Sequence, residues 1–232
     1  KIILNSMKFF FIYLYHLYYR HKIFYPKKSY SCLGEDLIIN NFFKKKKNGF
    51  YVDVGSYHPF FWNNTYLLYK NSWNGINIDL NPFSIKLFNF ARNNDYNFNF
   101  AVTNKKVKKI RFFFRKKINV LNTTNKQFAK RFFPNGYKTS IAKCTTLNSV
   151  ISKTKFKKKQ IDFLNIDVEG AEIEVLKSLN FKIYKPLLIC IEIHHDNKYQ
   201  SKYHPIYKFL TKKKYKKIWN REYSFIFSRK TY

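Results

Sequence analysis

From Phe50 to the carboxyl end, short apolar runs alternate with segments patterned as helices, and this alternation limits the fold more than any other feature of the chain. Strands separated by helices pair in parallel and bury both faces under those helices. The strand-like runs are 49–56, 74–80, 96–103, 161–168 and 186–194, with 108–114 a further strand that reads as an antiparallel addition. Helix-patterned segments fall at 63–72, 82–92, 144–152, 169–179 and 204–214, and Pro82 occupies the first-turn position that suits proline. Residues 216–220 and 223–228 read as a terminal hairpin. Residues 115–143 show no period and contain Pro134, Asn135 and Gly136, which predicts an irregular, lid-like loop. The fold class is α/β, with a mostly parallel sheet flanked by helices.

At 232 residues the chain is long enough for one such domain and little more. Residues 1–29 form an aromatic and basic amino-terminal segment, and 30–232 the α/β domain. The stretch 2–19 is apolar, but Asn5, Ser6, Lys8 and His16 interrupt it, so it falls short of a spanning helix. It reads as a helix packed on the domain, with peripheral membrane contact as the alternative. Cys32, Cys144 and Cys190 are widely spaced and odd in number, which suggests no disulfide framework and favours a cytoplasmic location.

The formal net charge of +32 points naively to nucleic acid. Only seven of the 45 basic residues are arginine, however, and phosphate-gripping surfaces favour the arginine fork. Lysine also arrives together with abundant Asn, Ile, Phe and Tyr, as A/T-rich codons dictate. A nucleic-acid partner is not favoured. The acids say more. There are 13, and Glu35, Asp36, Asp53, Asp79, Asp162, Asp167, Glu169, Glu172, Glu174 and Glu192 fall in five short stretches.

In open α/β sheets, ligands bind beyond the carboxyl ends of the strands. The first strand ends Asp53-Val54-Gly55-Ser56, where a glycine lets the backbone pass close under a ligand and a carboxylate can hold a cation. The second ends at Asp79, placed to accept hydrogen bonds from ribose hydroxyls, with helix capping as its competing role. No G-x-G-x-x-G fingerprint follows the first strand, which counts against a nicotinamide dinucleotide. Asp167 stands where a buried strand gives way to a helix and points into the same crevice, with Glu169 beside it. Glu172 and Glu174 are explained by the preference of carboxylates for a helix's first turn.

The segments YSCLGEDLI (30–38), GFYVDVGSYHP (49–59), NNTYLLYKNSWNGINIDLNP (63–82), FAV (100–102), TLNSV (146–150) and IDFLNIDVEGAEIEVLKSL (161–179) together resemble the FkbM-type methyltransferases. The resemblance covers about residues 30–195. It implies a class I methyltransferase (Rossmann-like) fold with a seven-stranded sheet, S-adenosylmethionine as cofactor, and O-methylation of a hydroxyl on a sugar, glycan or small metabolite. By the same resemblance Asp53, Gly55 and Ser56 look like the loop around the cofactor's methionine, and Asp79 like the ribose acid. Ala101 and Val102 look like the strand end near the adenine, and Glu35 like the amino-terminal residue that closes over the cofactor. Asp167 and Glu169 look like the crevice acids beside the methyl group. Cys32 stands where the family usually has Gln, and Leu80 where it usually has Pro.

Methyl transfer needs an aligned acceptor oxygen and help in removing its proton. Asp167, Glu169 and His58 are the catalytic candidates, with Glu192 and His194 as further possible bases. His194, His195 and Asp196 hint at metal, but three adjacent residues rarely converge on one ion, so no metal ligand is expected. Two other readings stand beside the small-molecule one: an RNA methyltransferase whose lysines track phosphates, and a non-catalytic, membrane-peripheral module of the same fold.

Overall fold

The computed structural model describes residues 2–25, 27–115, 121–194 and 202–229, with side chains from Met7 onward except Lys8. Strand β1 (Phe50–Val54) lies at the middle of a seven-stranded sheet. On one side it pairs in parallel with β2 (Asn74–Asp79), which pairs with β3 (Tyr96–Asn99). Beyond these in the chain come β4 (Ala101–Val102), β5 (Lys109–Phe114) and β6 (Lys138–Thr145), which build a separate three-stranded sheet in the order β4-β6-β5. On its other side β1 pairs with β7 (Phe163–Ile166), and β7 with β8 (Leu188–Glu192), again in parallel. The terminal hairpin β9 (Lys216–Arg221) and β10 (Ser224–Ser228) completes the sheet, with β10 running antiparallel between β8 and β9. The order is therefore β3-β2-β1-β7-β8-β10-β9.

Strand alternation sorts the core. Val52, Val54, Ile76, Ile78, Leu164, Ile166, Ile189 and Ile191 face one side. That side is covered by α6 (Leu147–Ser152), α7 (Glu172–Lys177) and α8 (Pro205–Lys212). Tyr51, Phe163, Leu188, Cys190 and Ile226 face the other, under α2 (Glu35–Phe42) and α3 (Tyr66–Lys70). Every residue of β1 and β7 is buried, which is why those runs read as apolar but for Asp53 and Asn165. The helix α4 (Pro82–Ala91) is capped by Asn81, whose side chain accepts from Phe83 N. Helix α1 (Ile2–Leu14) continues into a π turn over Tyr15–Tyr19. Leu17 in that turn is fully buried against Phe60 and Leu87, so the turn packs on the domain, while Met7, Phe9, Phe10 and Phe11 of α1 stay exposed. Among the described residues, no helix is long and apolar enough to cross a membrane.

Three expectations are corrected. The single strand expected at 96–103 breaks at Phe100: Ala101 and Val102 leave the main sheet and pair with Cys144 and Thr145. The stretch 115–143 is not irregular, since it holds α5 (Lys126–Phe132) and most of β6. The first four residues of β6 are exposed and carry no apolar alternation, so the period that betrays a strand is missing there. The helix expected over 63–72 covers only Tyr66–Lys70, because Asn63 and Thr65 are engaged below it.

Candidate active site

β1 is the switch point of the sheet: β2 leaves on one side of it and β7 on the other. Val54 stands opposite both Ile78 and Ile166, so the three strands end level and the residues that follow them converge. Gly55, Asp79 and Asp167 line one cavity there, together with Tyr57, Ala101, Val102, Asn122, Thr124 and Glu169. It holds about 590 Å³ of empty space, mouth included. Gly55 has φ +82°, and a Cβ on it would lie 1.6 Å from the Asp167 carbonyl oxygen, so only glycine lets the two strand ends meet. Asp79 Oδ2 accepts from Tyr57 N at 2.8 Å and Oδ1 from Asn81 N at 2.6 Å. Burial pushes its carboxyl up to about 6 against those two hydrogen bonds. Capping of α4 belongs to Asn81, which leaves Asp79 to the cavity.

A second cavity adjoins the first and shares Tyr57, Asp167 and Glu169 with it. Its lining carries Glu35, Asp167, Glu169, Glu192 and Glu222 and, among the described residues, no lysine or arginine. In a chain of net charge +32 this is an acidic pocket in a basic protein. Burial and the carboxylates of Glu192, Glu169 and Glu172 push Asp167 well above the usual carboxylate range. Glu169 sits at φ +58°, a left-handed conformation rare for a side-chain-bearing residue. Thr123 Oγ1 holds it there by donating to its carbonyl at 2.5 Å.

The family comparison follows the same geometry. A family model described as the methyltransferase FkbM domain matches residues 53–217. The chain belongs to the FkbM methyltransferase family. No individual curated protein matches it. The match runs from β1 into β9 and takes in both cavities, apart from Cys32, Leu33, Glu35, Glu222, Tyr223 and Ser224 of the second.

Four of the residues assigned from sequence lie elsewhere than expected in this FkbM domain. Asp53 lines neither cavity. Its carboxylate is fully buried and accepts from Asn165 Nδ2 and Thr65 Oγ1 at 2.9 Å and from Asn63 Nδ2 at 3.2 Å. Burial raises it and those bonds oppose the rise; its work is to tie the 56–65 loop to β1 and β7. Ser56 is also buried, with its hydroxyl turned to the Ile78 carbonyl. Glu35 faces the second cavity rather than the first and accepts from Leu33 N at 2.8 Å.

His58 is the clearest correction. Its Nδ1 accepts from Phe60 N and Phe61 N at 3.1 Å, and its Nε2 donates to the His16 carbonyl at 3.0 Å. Both nitrogens are consumed, and burial pushes the ring down to about 3. It cannot serve as a base; it bolts the amino-terminal segment to the loop. The unfolded chain binds a proton on this ring below about pH 6.5, and the folded one only below about 3. The stability from His58 is thus complete above pH 6.5 and is lost as the pH falls toward 3. His58→Ala is expected to lower stability by on the order of 2 kcal/mol at neutral pH, because three backbone groups lose their partner. It is also expected to flatten the acid limb of the melting curve, which thermal melts from pH 7 to 4 check.

Asn122, Thr124, Tyr57 and Trp62 were not legible as site residues. Asn122 and Thr124 come from the stretch without a period. Tyr57 has φ +51° and stands at the boundary of both cavities. Glu172 accepts from Gly170 N at 2.9 Å, and Glu174 from Thr103 Oγ1 at 2.7 Å, so each does local work beyond favouring a helix's first turn.

Proposed function

We propose that this methyltransferase has the class I architecture, uses S-adenosylmethionine and methylates a hydroxyl of a neutral sugar, glycan or small metabolite. The observation that carries the reading is the pair of cavities meeting at Asp167. The strand order with its one reversed strand supports the class I assignment.

The first cavity fits the cofactor. Gly55 leaves the strand-end cradle that any Cβ would fill, and Asp79 presents a carboxylate whose oxygens keep a lone pair each for ribose hydroxyls. Ala101 and Val102 give an apolar wall. S-adenosylmethionine supplies a methyl group carried on a sulfonium. The chain's own part is to bring the acceptor hydroxyl to the junction of the two cavities, exclude water and take the hydroxyl proton on Asp167. The acidic lining of the second cavity, with no lysine or arginine among the described residues, is unfavourable to a phosphate-bearing acceptor, which disfavours RNA and favours a neutral polyol. Cytoplasmic chemistry on a small metabolite suits this reading.

Calorimetric titration with S-adenosylmethionine and S-adenosylhomocysteine tests it. Binding is expected with both, and absence of heat with either up to millimolar ligand overturns it. The affinity is expected to depend on pH through Asp79. Ribose hydroxyls need the carboxylate, so affinity is full above about pH 6 and falls as the group protonates below it. At pH 5 the loss reaches about tenfold, and Asp79→Asn abolishes the pH dependence.

A further inference from the structure

Three ligand-type side chains meet on the wall between the second cavity and α8. Glu169 comes from the loop after β7, Glu192 ends β8, and His194 follows two residues later. One ligand atom of each lies within 4.8 Å of the other two. His194 Nε2 stands 2.9 Å from Glu192 Oε2 and 3.6 Å from Glu169 Oε2. With ligand bonds of about 2.0–2.2 Å, shell edges measure about 2.8–3.1 Å in an octahedron and about 3.3–3.6 Å in a tetrahedron. The two separations fall within that span.

A second observation points the same way. Glu169 Oε2, Glu192 Oε2 and both ring nitrogens of His194 are buried and make no hydrogen bond. The Glu169 side chain is only 8% exposed. His194 Nε2 pairs with Glu192 Oε2 at 2.9 Å and with Glu169 Oε2 at 3.6 Å, and neither contact closes as a well-directed hydrogen bond. The ion pairs gather the three donor atoms around one point, where a bound cation would take all three as ligands. The arrangement is also rigid. The His194 ring is boxed by Phe128 and Tyr223 at 5.1 Å and by Phe132 at 5.9 Å. Glu169 is pinned through its carbonyl by Thr123.

We propose that Glu169, Glu192 and His194 form a binding site for one divalent transition-metal ion. One imidazole and two carboxylates suit Mn²⁺, Fe²⁺ or Zn²⁺ better than Mg²⁺, which prefers an all-oxygen shell. Three protein ligands leave positions open, and Glu169 and Glu192 both line the second cavity. This revises the expectation that the chain has no metal ligand: the partner missing from the sequence around His194 is Glu169, 25 positions away and brought near by the fold. His195 and Asp196 lie outside the described residues. The further role of the ion rests on the acceptor reading above. If the second cavity holds the acceptor, the open position takes its hydroxyl and lowers that hydroxyl's pKa next to Asp167. Metal binding itself stands without that reading.

The test uses the full chain, stripped with a chelator and titrated with Mn²⁺ while electron paramagnetic resonance follows the free ion. Zn²⁺ is then added as competitor. One ion per chain and a raised melting temperature are expected. Glu192→Gln and His194→Ala are each expected to weaken binding by more than about tenfold. Glu192→Gln is nearly isosteric, and its melting curve without metal reports whether the fold is intact. Failure of the wild-type chain to bind either ion at millimolar concentration overturns the proposal. So does binding that both variants retain, since the ion then sits elsewhere. Titration of the same protein with S-adenosylhomocysteine separates the two readings: metal without cofactor leaves this site standing and refutes the cofactor, and cofactor without metal does the reverse.

Discussion

Gly55→Ala is expected to be the most damaging single substitution in the cofactor cavity. The added methyl would lie 1.6 Å from the Asp167 carbonyl oxygen and 2.6 Å from its carbon, both backbone atoms that no rotamer change can move. Asp167 N donates to the Val54 carbonyl at 2.9 Å, so pushing the two strand ends apart breaks a ladder bond between β1 and β7. The positive φ adds about 1–2 kcal/mol for any L-residue other than glycine. Together these cost on the order of 4 kcal/mol. For a chain of this size that is a fall of about 10 °C in melting temperature. The surviving folded protein is expected to bind S-adenosylhomocysteine more than about tenfold more weakly, because the cavity wall itself has moved. A Gly55→Ala chain that melts and binds like wild type would show that the strand ends do not meet as described.

The fold was largely legible because the strands that build its centre are buried on both faces. Apart from Asp53 in β1, Asn165 in β7 and the terminal Glu192 of β8, these runs are apolar, so their alternation with helices could be read directly. The second sheet was not legible. Its strand β6 leaves Lys138, Thr139, Ser140 and Ile141 exposed and buries no apolar face along that half. Hydrophobic periodicity reports burial, and an element that buries little leaves little signal.

The site divides along a similar line. Gly55, Asp79 and Asp167 stand at strand ends, and position along the chain was enough to bring them to one cavity, whereas Ala101 and Val102 were placed there by the family resemblance alone. Asp53 looked equivalent but is a strand residue, one pleat from Val52 and Val54. Strand alternation puts it on the same face as Tyr51, under α2 and α3 and away from the cavity. That parity was available in the sequence. Glu192 and His194 were legible only as isolated candidates, since nothing but parallel pairing of β7 with β8 sets them beside Glu169.

Asp167→Asn carries the second large expectation, and it concerns rate. Asp167 is the residue that lines both cavities at a strand end, between the wall formed by Gly55 and the acidic lining of the acceptor side. The amide keeps the shape and cannot take a hydroxyl proton. Turnover is expected to fall about 100- to 10,000-fold, the usual worth of a positioned base. The affinity for S-adenosylhomocysteine is expected to stay near wild type, because Asp79 and the Gly55 cradle are untouched. Stability gives an independent sign. Glu169, Glu172 and Glu192 crowd Asp167 with like charge, so removing one carboxylate relieves repulsion and the variant melts no lower than wild type. S-adenosylhomocysteine release with a panel of neutral sugars and polyols measures the first effect, and a thermal melt the last. Undiminished turnover in Asp167→Asn would move proton removal to another group at the junction. A lower melting temperature together with lost turnover would show instead that Asp167 holds the strand ends together and that its chemistry is secondary.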